Sequence, residues 1–574
     1  MPRATEYAEE PDAPRSQISL RIIAQDPSVK GDDNHILTAI VKVPWARMED
    51  GPHGARFQVV DFDASTGRYT KHPGIPNDDA FAEADDKVLV GEFEFHARQV
   101  YAVAARTLAT FESALGRRLS WGFPGHHLYL VPHAFAEANA YYSWDDRALL
   151  FGYVPEAEHD AAYTCLSYDV VVHETTHAVI DGLRRRFLEP GLPDQAAFHE
   201  GFADITALLS VFSMRPVVEQ ALGKANDQGR ISRSRVDPDH LRRSVLTGVA
   251  EQIGKVLTQG RGALRRSALA PPPKGWADLP QFQEPHRRGE VLVAAVLDVL
   301  IDIWAKRLEP LLSGDQGEEL ATLDRARAAE EGARAATQLL TILIRGLDYL
   351  PPVEFEFGDL LDAVILADIE VVPDDDLGYR DMLLERFAKA GIVRPPGRHA
   401  SVLDAEVAPR YLGMNFAALR SDRDEVFRFL WQNAERLDLR TKYYTAVESV
   451  RPSQRVAPDG LILGESVATY VQLLELTAGE LEEITELELP AGIAPGTRLQ
   501  LLGGGTLVFD QFGRLKLHIY KSLDDWRRQL RRLEYLQRSG KSDSLQRLGF
   551  TDGSARGQTF AELHSTDLSS GEAW

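Results

Sequence analysis

The stretch YDVVVHETTHAVIDG, residues 168–182, carries the sharpest signal in the chain. Its apolar residues recur at helical spacing on either side of His173-Glu174-Thr175-Thr176-His177. Positions four apart on a helix share a face, so His173 and His177 offer two imidazole nitrogens to one ion. Glu174 stands beside the first of them and can reach a water on that ion. Imidazole is a good zinc ligand, and zinc makes no strong geometric demand of its own.

A second motif follows at the distance a helical return requires. Residues 199–204 read His199-Glu200-Gly-Phe-Ala-Asp204, and ITALLSVF continues the apolar pattern. Glu200 lies 23 positions after His177, enough for one helix to end near Asp181-Gly182, a loop to turn and a second helix to come back. Glu200 would then be the third ligand, completing a two-His-one-Glu set with an open fourth position. Asp204 lies one turn beyond Glu200 and can accept the free N–H of a zinc-bound histidine. The apolar residues around both carboxylates argue for a buried helix, and buried carboxylates need partners.

With these two motifs the chain resembles the thermolysin-type zinc metallopeptidases, the gluzincins. In that family H-E-x-x-H is followed about twenty residues later by an Asn-Glu-x-x-x-Asp-like motif; here His199 replaces the Asn. Upstream, Asn139-Ala140-Tyr141-Tyr142-Ser143-Trp144 resembles the family's edge strand, which pairs with bound substrate. The resemblance therefore implies substrate-binding roles for Asn139 and Ala140. Downstream, Gly262-Ala-Leu-Arg265-Arg-Ser resembles the stretch carrying the substrate-clamping arginine, with Arg242 or Arg243 as rivals for that role. Glu284-Pro285-His286-Arg-Arg-Gly289 precedes a long helix, as the family's catalytic histidine does, although the family's Asn-Ser is replaced. The implied role passes to His286, with Glu284 as its orienting partner. The oxyanion tyrosine of the family falls near Phe187, which has no hydroxyl. The family's calcium-binding acidic runs have no recognisable counterpart, and Asp374–Asp376 reads as a solvated loop, so calcium stays open. The resemblance covers about residues 93–392.

It implies an α+β fold with a thermolysin-like two-lobed catalytic body: a mixed or antiparallel sheet in the N-terminal lobe and a mainly helical C-terminal lobe. Residues 1–17 read as a disordered tail and 18–90 as a β-rich region, where HILTAIVKV and ARFQVVDFDASTGRYT are strand-like. Residues 91–180 form the lobe with the edge strand and zinc helix, and 181–394 the helical lobe. Within the first, Phe93 to Leu119 has helical spacing and HHLYLVP reads as a strand. After the PPGR at 395–398 the character changes, and 400–574 reads as a C-terminal α+β module of unknown role. Phe427 to Leu437 is an expected helix. TLVFD and RLKLHIY, separated by QFG, form an expected hairpin. Ser522 to Ser539 is an amphipathic helix with a Leu530, Leu533, Leu536 stripe.

Composition sets limits. The chain has 574 residues, 44% hydrophobic and 26% charged, ordinary values for a globular protein with three or four domains. Its 64 basic and 86 acidic residues give a net charge of −22, which repels phosphate backbones and argues against non-specific nucleic-acid binding. Cys165 is the single cysteine, so no intramolecular disulfide and no Cys-rich zinc or iron–sulfur site can form. The first seventeen residues lack the apolar core of a secretory signal. The apolar stretch Glu290 to Trp304 is interrupted by Asp298 and Asp302, so no membrane span is expected. The expectation is a cytoplasmic protein that acts on a peptide or protein substrate, with a protein partner for the C-terminal module left open.

The expected chemistry is peptide hydrolysis with one zinc and Glu174 as general base. A gluzincin aminopeptidase is one alternative, but it needs a Gly-x-Met-Glu-Asn-like strand that is not seen. A non-catalytic scaffold that keeps zinc for stability is the other; it has no use for Glu174. Serine-hydrolase and P-loop readings fail. Gly464-Glu-Ser-Val-Ala lacks the second glycine, and Gly503-Gly-Gly has no Lys-Ser or Lys-Thr after it.

Overall fold

The computed structural model describes residues 16–539 apart from 46–47, 77–78, 138, 156–161, 190, 246–271, 313–321, 395–399, 402–407, 458–459 and 486–487. Arg265, the PPGR segment, nearly all of the N-terminal tail and the polar stretch after 539 lie outside the described residues. The fold is α+β, with several separate sheets.

The N-terminal region is β-rich. Strands β1 (Gln17–Ile23) and β2 (Thr38–Pro44) form an antiparallel pair. The alternating run 55–70 becomes β3 (Phe57–Val59), β4 (Asp61–Asp63) and β5 (Arg68–Thr70), with a turn between the last two. Asp63 fixes that turn by accepting from the backbone N–H groups of Ser65 and Thr66. Helix α1 (Asp86–Gly91) is capped by Asp85 and leads into α2 (Phe93–Leu115). The face of α2 carrying Tyr101, Leu108, Phe111 and Leu115 is buried. It ends one turn short of Leu119 because Gly116 turns the chain into the left-handed region at φ 66°.

Four further strands complete a five-stranded mixed sheet with β3. They are β6 (Leu128–Phe135), β7 (Ala140–Ser143), β8 (Ala148–Val154) and β9 (Ala162–Tyr163). The order is β3-β6-β8-β7, so β7 forms an edge, and β9 adds to the far end of β8. Helices dominate from there to residue 389: α3 (Tyr168–Leu183), α4 (Pro193–Phe212), α5 (Arg215–Leu222), α6 (Pro238–Val245), α7 (Pro285–Leu312), α8 (Arg325–Gly346), α9 (Phe357–Val371) and α10 (Tyr379–Lys389). Asp375, in the acidic run, accepts from the backbone N–H groups of Tyr379 and Arg380 and so holds the start of α10. No single helix among the described residues is long and apolar enough to cross a membrane.

Past residue 408 comes α11 (Arg423–Gln432), earlier than the helix expected over 427–437. Asp422 caps its start, and the Asn433 side chain bonds the backbone of Arg410, so the helix stops there. A second sheet follows, built on β10 (Tyr444–Val456), β11 (Ile462–Thr477), β12 (Arg498–Asp510) and β13 (Leu515–Lys521), all antiparallel to their neighbours. The expected hairpin is the β12–β13 pair, and β12 starts eight residues before its TLVFD core. Helix α12 (Ala478–Thr485) lies between β11 and β12, and α13 (Trp526–Arg538) closes the described chain. Leu533 and Leu536 of α13 are fully buried, but so are Arg528 and Arg532, which pair with Glu354.

This second sheet meets the helical body through buried polar contacts. Gln454 donates its backbone N–H to the carbonyl of Gly116. Arg451 donates to the carbonyl of Leu183, the last residue of α3. Arg455 pairs with both Asp348 and Glu465 at 1% side-chain exposure.

Candidate metal centre

Helix α3 carries both histidines and Glu174, and every residue from Tyr168 to Leu183 is buried. The face predicted from the four-residue spacing is the one that meets α4. There the ligand atoms of His173, His177 and Glu200 all lie within 4.8 Å of one another. The two Nε2 atoms are 3.0 Å apart, and Glu200 oxygens stand 3.4 Å from His173 Nε2 and 3.6 Å from His177 Nε2. Two nitrogens each about 2.0–2.1 Å from one tetrahedral ion would be about 3.3 Å apart. The cluster therefore has the span a small divalent cation needs.

The electrostatics favour a cation too. Burial would push the His173 imidazole down, but the Asp204 and Glu200 carboxylates override it and hold the ring up to about 10. Burial likewise opposes ionisation of Glu200, yet His177, His286 and His173 together hold its carboxyl well below the usual range. Positive charge is thus strongly stabilised between these three side chains. His173 Nδ1 lies 2.9 Å from Asp204 Oδ1, which keeps a proton on Nδ1 and turns Nε2 into the cluster, where an ion would take the place of its proton. The donor set, two imidazoles and one carboxylate, fits zinc. Asp204→Ala is expected to weaken zinc binding about 10- to 100-fold without abolishing it. A competition titration against a chelator of known affinity checks this.

His286 joins the cluster from α7. Its Nε2 is 3.4 Å from Glu200 Oε2, and its Nδ1 is 2.8 Å from Glu284 Oε1. Glu284 also accepts from the backbone N–H groups of His286 and Arg287 at the helix start. Burial disfavours the imidazolium, but Glu200 and Glu284 hold the His286 ring well above its ordinary value.

The approach of α7 to α4 depends on two glycines. A Cβ on Gly289 would stand 3.0 Å from the Gly201 nitrogen and 3.1 Å from the Ala197 carbonyl oxygen. A Cβ on Gly201 would meet the Gly289 backbone at 3.1 Å. Each glycine directly follows a functional stretch, Glu200 in one helix and His286-Arg-Arg in the other. Gly289→Val is expected to cost about 1–3 kcal/mol by overpacking and to draw His286 away from Glu200. Thermal melts and the pH profile of any activity together read both effects.

Glu174 is anchored from the other side. The backbone N–H of Tyr142, on the edge strand β7, donates to Glu174 Oε2 at 3.0 Å. The Tyr142 hydroxyl donates to Asp181 Oδ2 at 3.0 Å, and Asp181 is fully buried on α3. Sequence reasoning missed this relay, although the signal was there. Asp181 follows His177 by four residues, just as His177 follows His173, and Tyr142 is the fourth residue of the Asn-Ala-aromatic-aromatic run. His199 was also seen only as a departure. Its ring stacks on His177 with centroids 5.7 Å apart, and burial pushes it down to about 4 despite Glu200 beside it, so it stays neutral.

The remaining expected residues fall as follows. Asn139 and Ala140 sit at the start of β7, where the Asn139 side chain accepts from the Ala140 N–H. Arg242 pairs with Asp298 on α7. Phe187 is buried in a ring cluster with Phe198 and Phe355. Compared with known proteins, the chain matches no family model and no curated relative, so the residues and their geometry alone bear on its function.

Proposed function

We propose that the protein is a zinc-dependent peptidase with a thermolysin-like two-lobed catalytic body, one lobe holding the β7 sheet and the other the helices from α4 onward. The observation that carries the reading is the convergence of His173, His177 and Glu200 from two helices, with Glu174 held beside them by β7. A metal kept only for stability would have no use for a carboxylate anchored next to its ligands.

His173, His177 and Glu200 would hold the ion. When bound, zinc supplies Lewis acidity, acidifying a water and polarising a carbonyl. The chain's own groups do the rest. The Tyr142 N–H aims the Glu174 carboxyl, which takes the proton of the attacking water and later passes it to the leaving amine. Protonated His286, steadied by Glu284, donates to the oxygen on which negative charge develops, a contribution of a few kcal/mol when preorganised. Edge strand β7 would border an extended peptide, which would exchange with the Asn139 side chain for the Ala140 N–H to add as a strand. Asn139 and Ala140, at its start, lie where that peptide would enter.

The test joins metal analysis to a peptide-library digest. The expected result is cleavage of internal peptide bonds, suppressed by a chelator and restored by zinc. His177→Ala is expected to lose one equivalent of zinc and all cleavage. A wild-type protein that holds zinc at this site yet cuts nothing in the library would defeat the peptidase reading. A His177→Ala variant with undiminished zinc would defeat the ligand assignment.

A further inference from the structure

A second buried cluster lies outside this site. His96 on α2, His133 on β6 and Cys165, in the turn Thr164–Leu166 just before α3, bring their ligand atoms within 4.8 Å of one another. Their exposures are 0%, 3% and 0%. Three elements distant in sequence converge on this point, and one of them delivers the chain's only cysteine.

The hydrogen bonds define which nitrogens face inward. His96 Nε2 is 2.8 Å from the Val90 carbonyl oxygen, which can only accept, so this nitrogen carries a proton. His133 Nδ1 is 2.8 Å from Asp61 Oδ1. Asp61 also stands 2.7 Å from His72 Nε2, so each of its carboxyl oxygens faces an imidazole nitrogen and serves as an acceptor. His133 Nδ1 is therefore also a donor. That leaves His96 Nδ1 and His133 Nε2 pointing at each other, 2.8 Å apart. Something positive must lie between or beside them: a shared proton or a metal ion.

We infer that this cluster is a second metal site, binding a zinc-class divalent cation through His96, His133 and Cys165. Two features favour the ion over a proton. A proton shared by two imidazoles has no use for a thiol, whereas a thiolate is a strong zinc ligand. The outer contacts also follow the pattern of metal-bound histidines, each giving its remote N–H to a carboxylate or a backbone carbonyl. His173 and Asp204 make the same arrangement in the first site. Aromatic rings close the cluster: Phe93 stacks on His133 at 4.2 Å, and Tyr163 meets both imidazoles edge-on.

Binding displaces the Cys165 thiol proton and any proton on His133 Nε2 to solvent, while His133 Nδ1–H and His96 Nε2–H stay in place. The consequence is structural. Cys165 lies three residues before Tyr168, the start of α3, so the ion would tie the entry of the helix bearing His173, Glu174 and His177 to α2 and β6.

The sulfur ligand makes the test specific, because the first site has none and the chain has no other cysteine. The protein is stripped of metal and titrated with Co²⁺ as an optical probe. The expected result is a near-ultraviolet thiolate-to-cobalt charge-transfer band and a second equivalent of bound metal. The band should persist in His177→Ala and vanish in Cys165→Ser and in His96→Ala. A wild-type protein that saturates with one equivalent and shows no sulfur band would overturn the inference, leaving the two imidazoles sharing a proton. Should Cys165→Ser fail to fold, the band in wild type and in His177→Ala decides alone. Failure of the peptidase reading leaves this outcome untouched, since it is read without substrate.

Discussion

Glu174→Gln is expected to keep its zinc and its melting behaviour while losing turnover by roughly 10²–10⁴-fold or more. The side chain is buried at 1% exposure, and Gln fills nearly the same volume, so packing barely changes. The amide oxygen can still accept from the Tyr142 N–H that now holds Oε2. What the amide cannot do is take a proton from water. Neither ligand histidine nor Glu200 is touched, so the metal stays. Turnover on a fluorogenic peptide, normalised to bound zinc, reads the effect. Turnover equal to wild type would remove Glu174 as the base. A parallel loss of zinc would make it a ligand. Tyr142→Phe is a milder companion: it keeps the backbone N–H and deletes only the bond to Asp181. A smaller fall in turnover with zinc retained is expected, because the strand still aims Glu174 but is held less firmly.

The cluster of His173, His177 and Glu200 was legible because helical periodicity is a local rule. Four-residue spacing put His173 and His177 on one face, and the length of a helical return put Glu200 opposite them. The same rule reaches Asp181, which was read only as the end of the helix. Long-range contacts carry no such period. Nothing in the spacing of His96, His133 and Cys165 marks them as neighbours, since a helix, a strand and a turn bring them together. The Gly201–Gly289 contact is silent for the same reason: each glycine looks unremarkable until two helices cross there. Strands fared unevenly. β2 and the β3–β5 run are rich in β-branched or alternating residues and could be read directly. In the long β10–β11 pair, buried polar residues break the apolar alternation: Arg455 and Glu465 join the ion-pair network with Asp348, while Ser466 and Gln472 on the other face donate to the carbonyls of Arg420 and Arg440.

That ion-pair network is where the second large effect is expected. Asp348 lies in the turn that follows α8, with its side chain 3% exposed. It accepts two bonds of 2.6 Å from the Arg117 guanidinium and one of 2.7 Å from Arg455 on β10. Arg455 in turn bonds Glu465 on β11 and the Tyr349 hydroxyl, and Lys516 on β13 reaches Glu465 as well. One carboxylate thus joins the end of α2 to the C-terminal sheet inside a region that water does not screen. Asp348→Ala leaves two guanidinium groups buried with a single remaining carboxylate. Breaking such a pair from one side costs about 3–5 kcal/mol, a large part of the roughly 5–15 kcal/mol that holds an ordinary domain. Urea unfolding should show that loss directly, and proteases should cut the C-terminal sheet away from the body early. The pH dependence gives an independent sign. Burial opposes the Asp348 charge, but Arg117 and Arg455 more than compensate and hold the carboxyl far below the usual range. Its contribution is therefore complete above the unfolded value near 4 and is lost as pH falls toward the folded value. The gap between wild type and Asp348→Ala should be widest at neutral pH and close in acid. A gap that stayed constant with pH would mean that Asp348 acts by shape alone. A variant as stable as wild type would mean that the arginines find other partners and that the sheet is held by its apolar contacts.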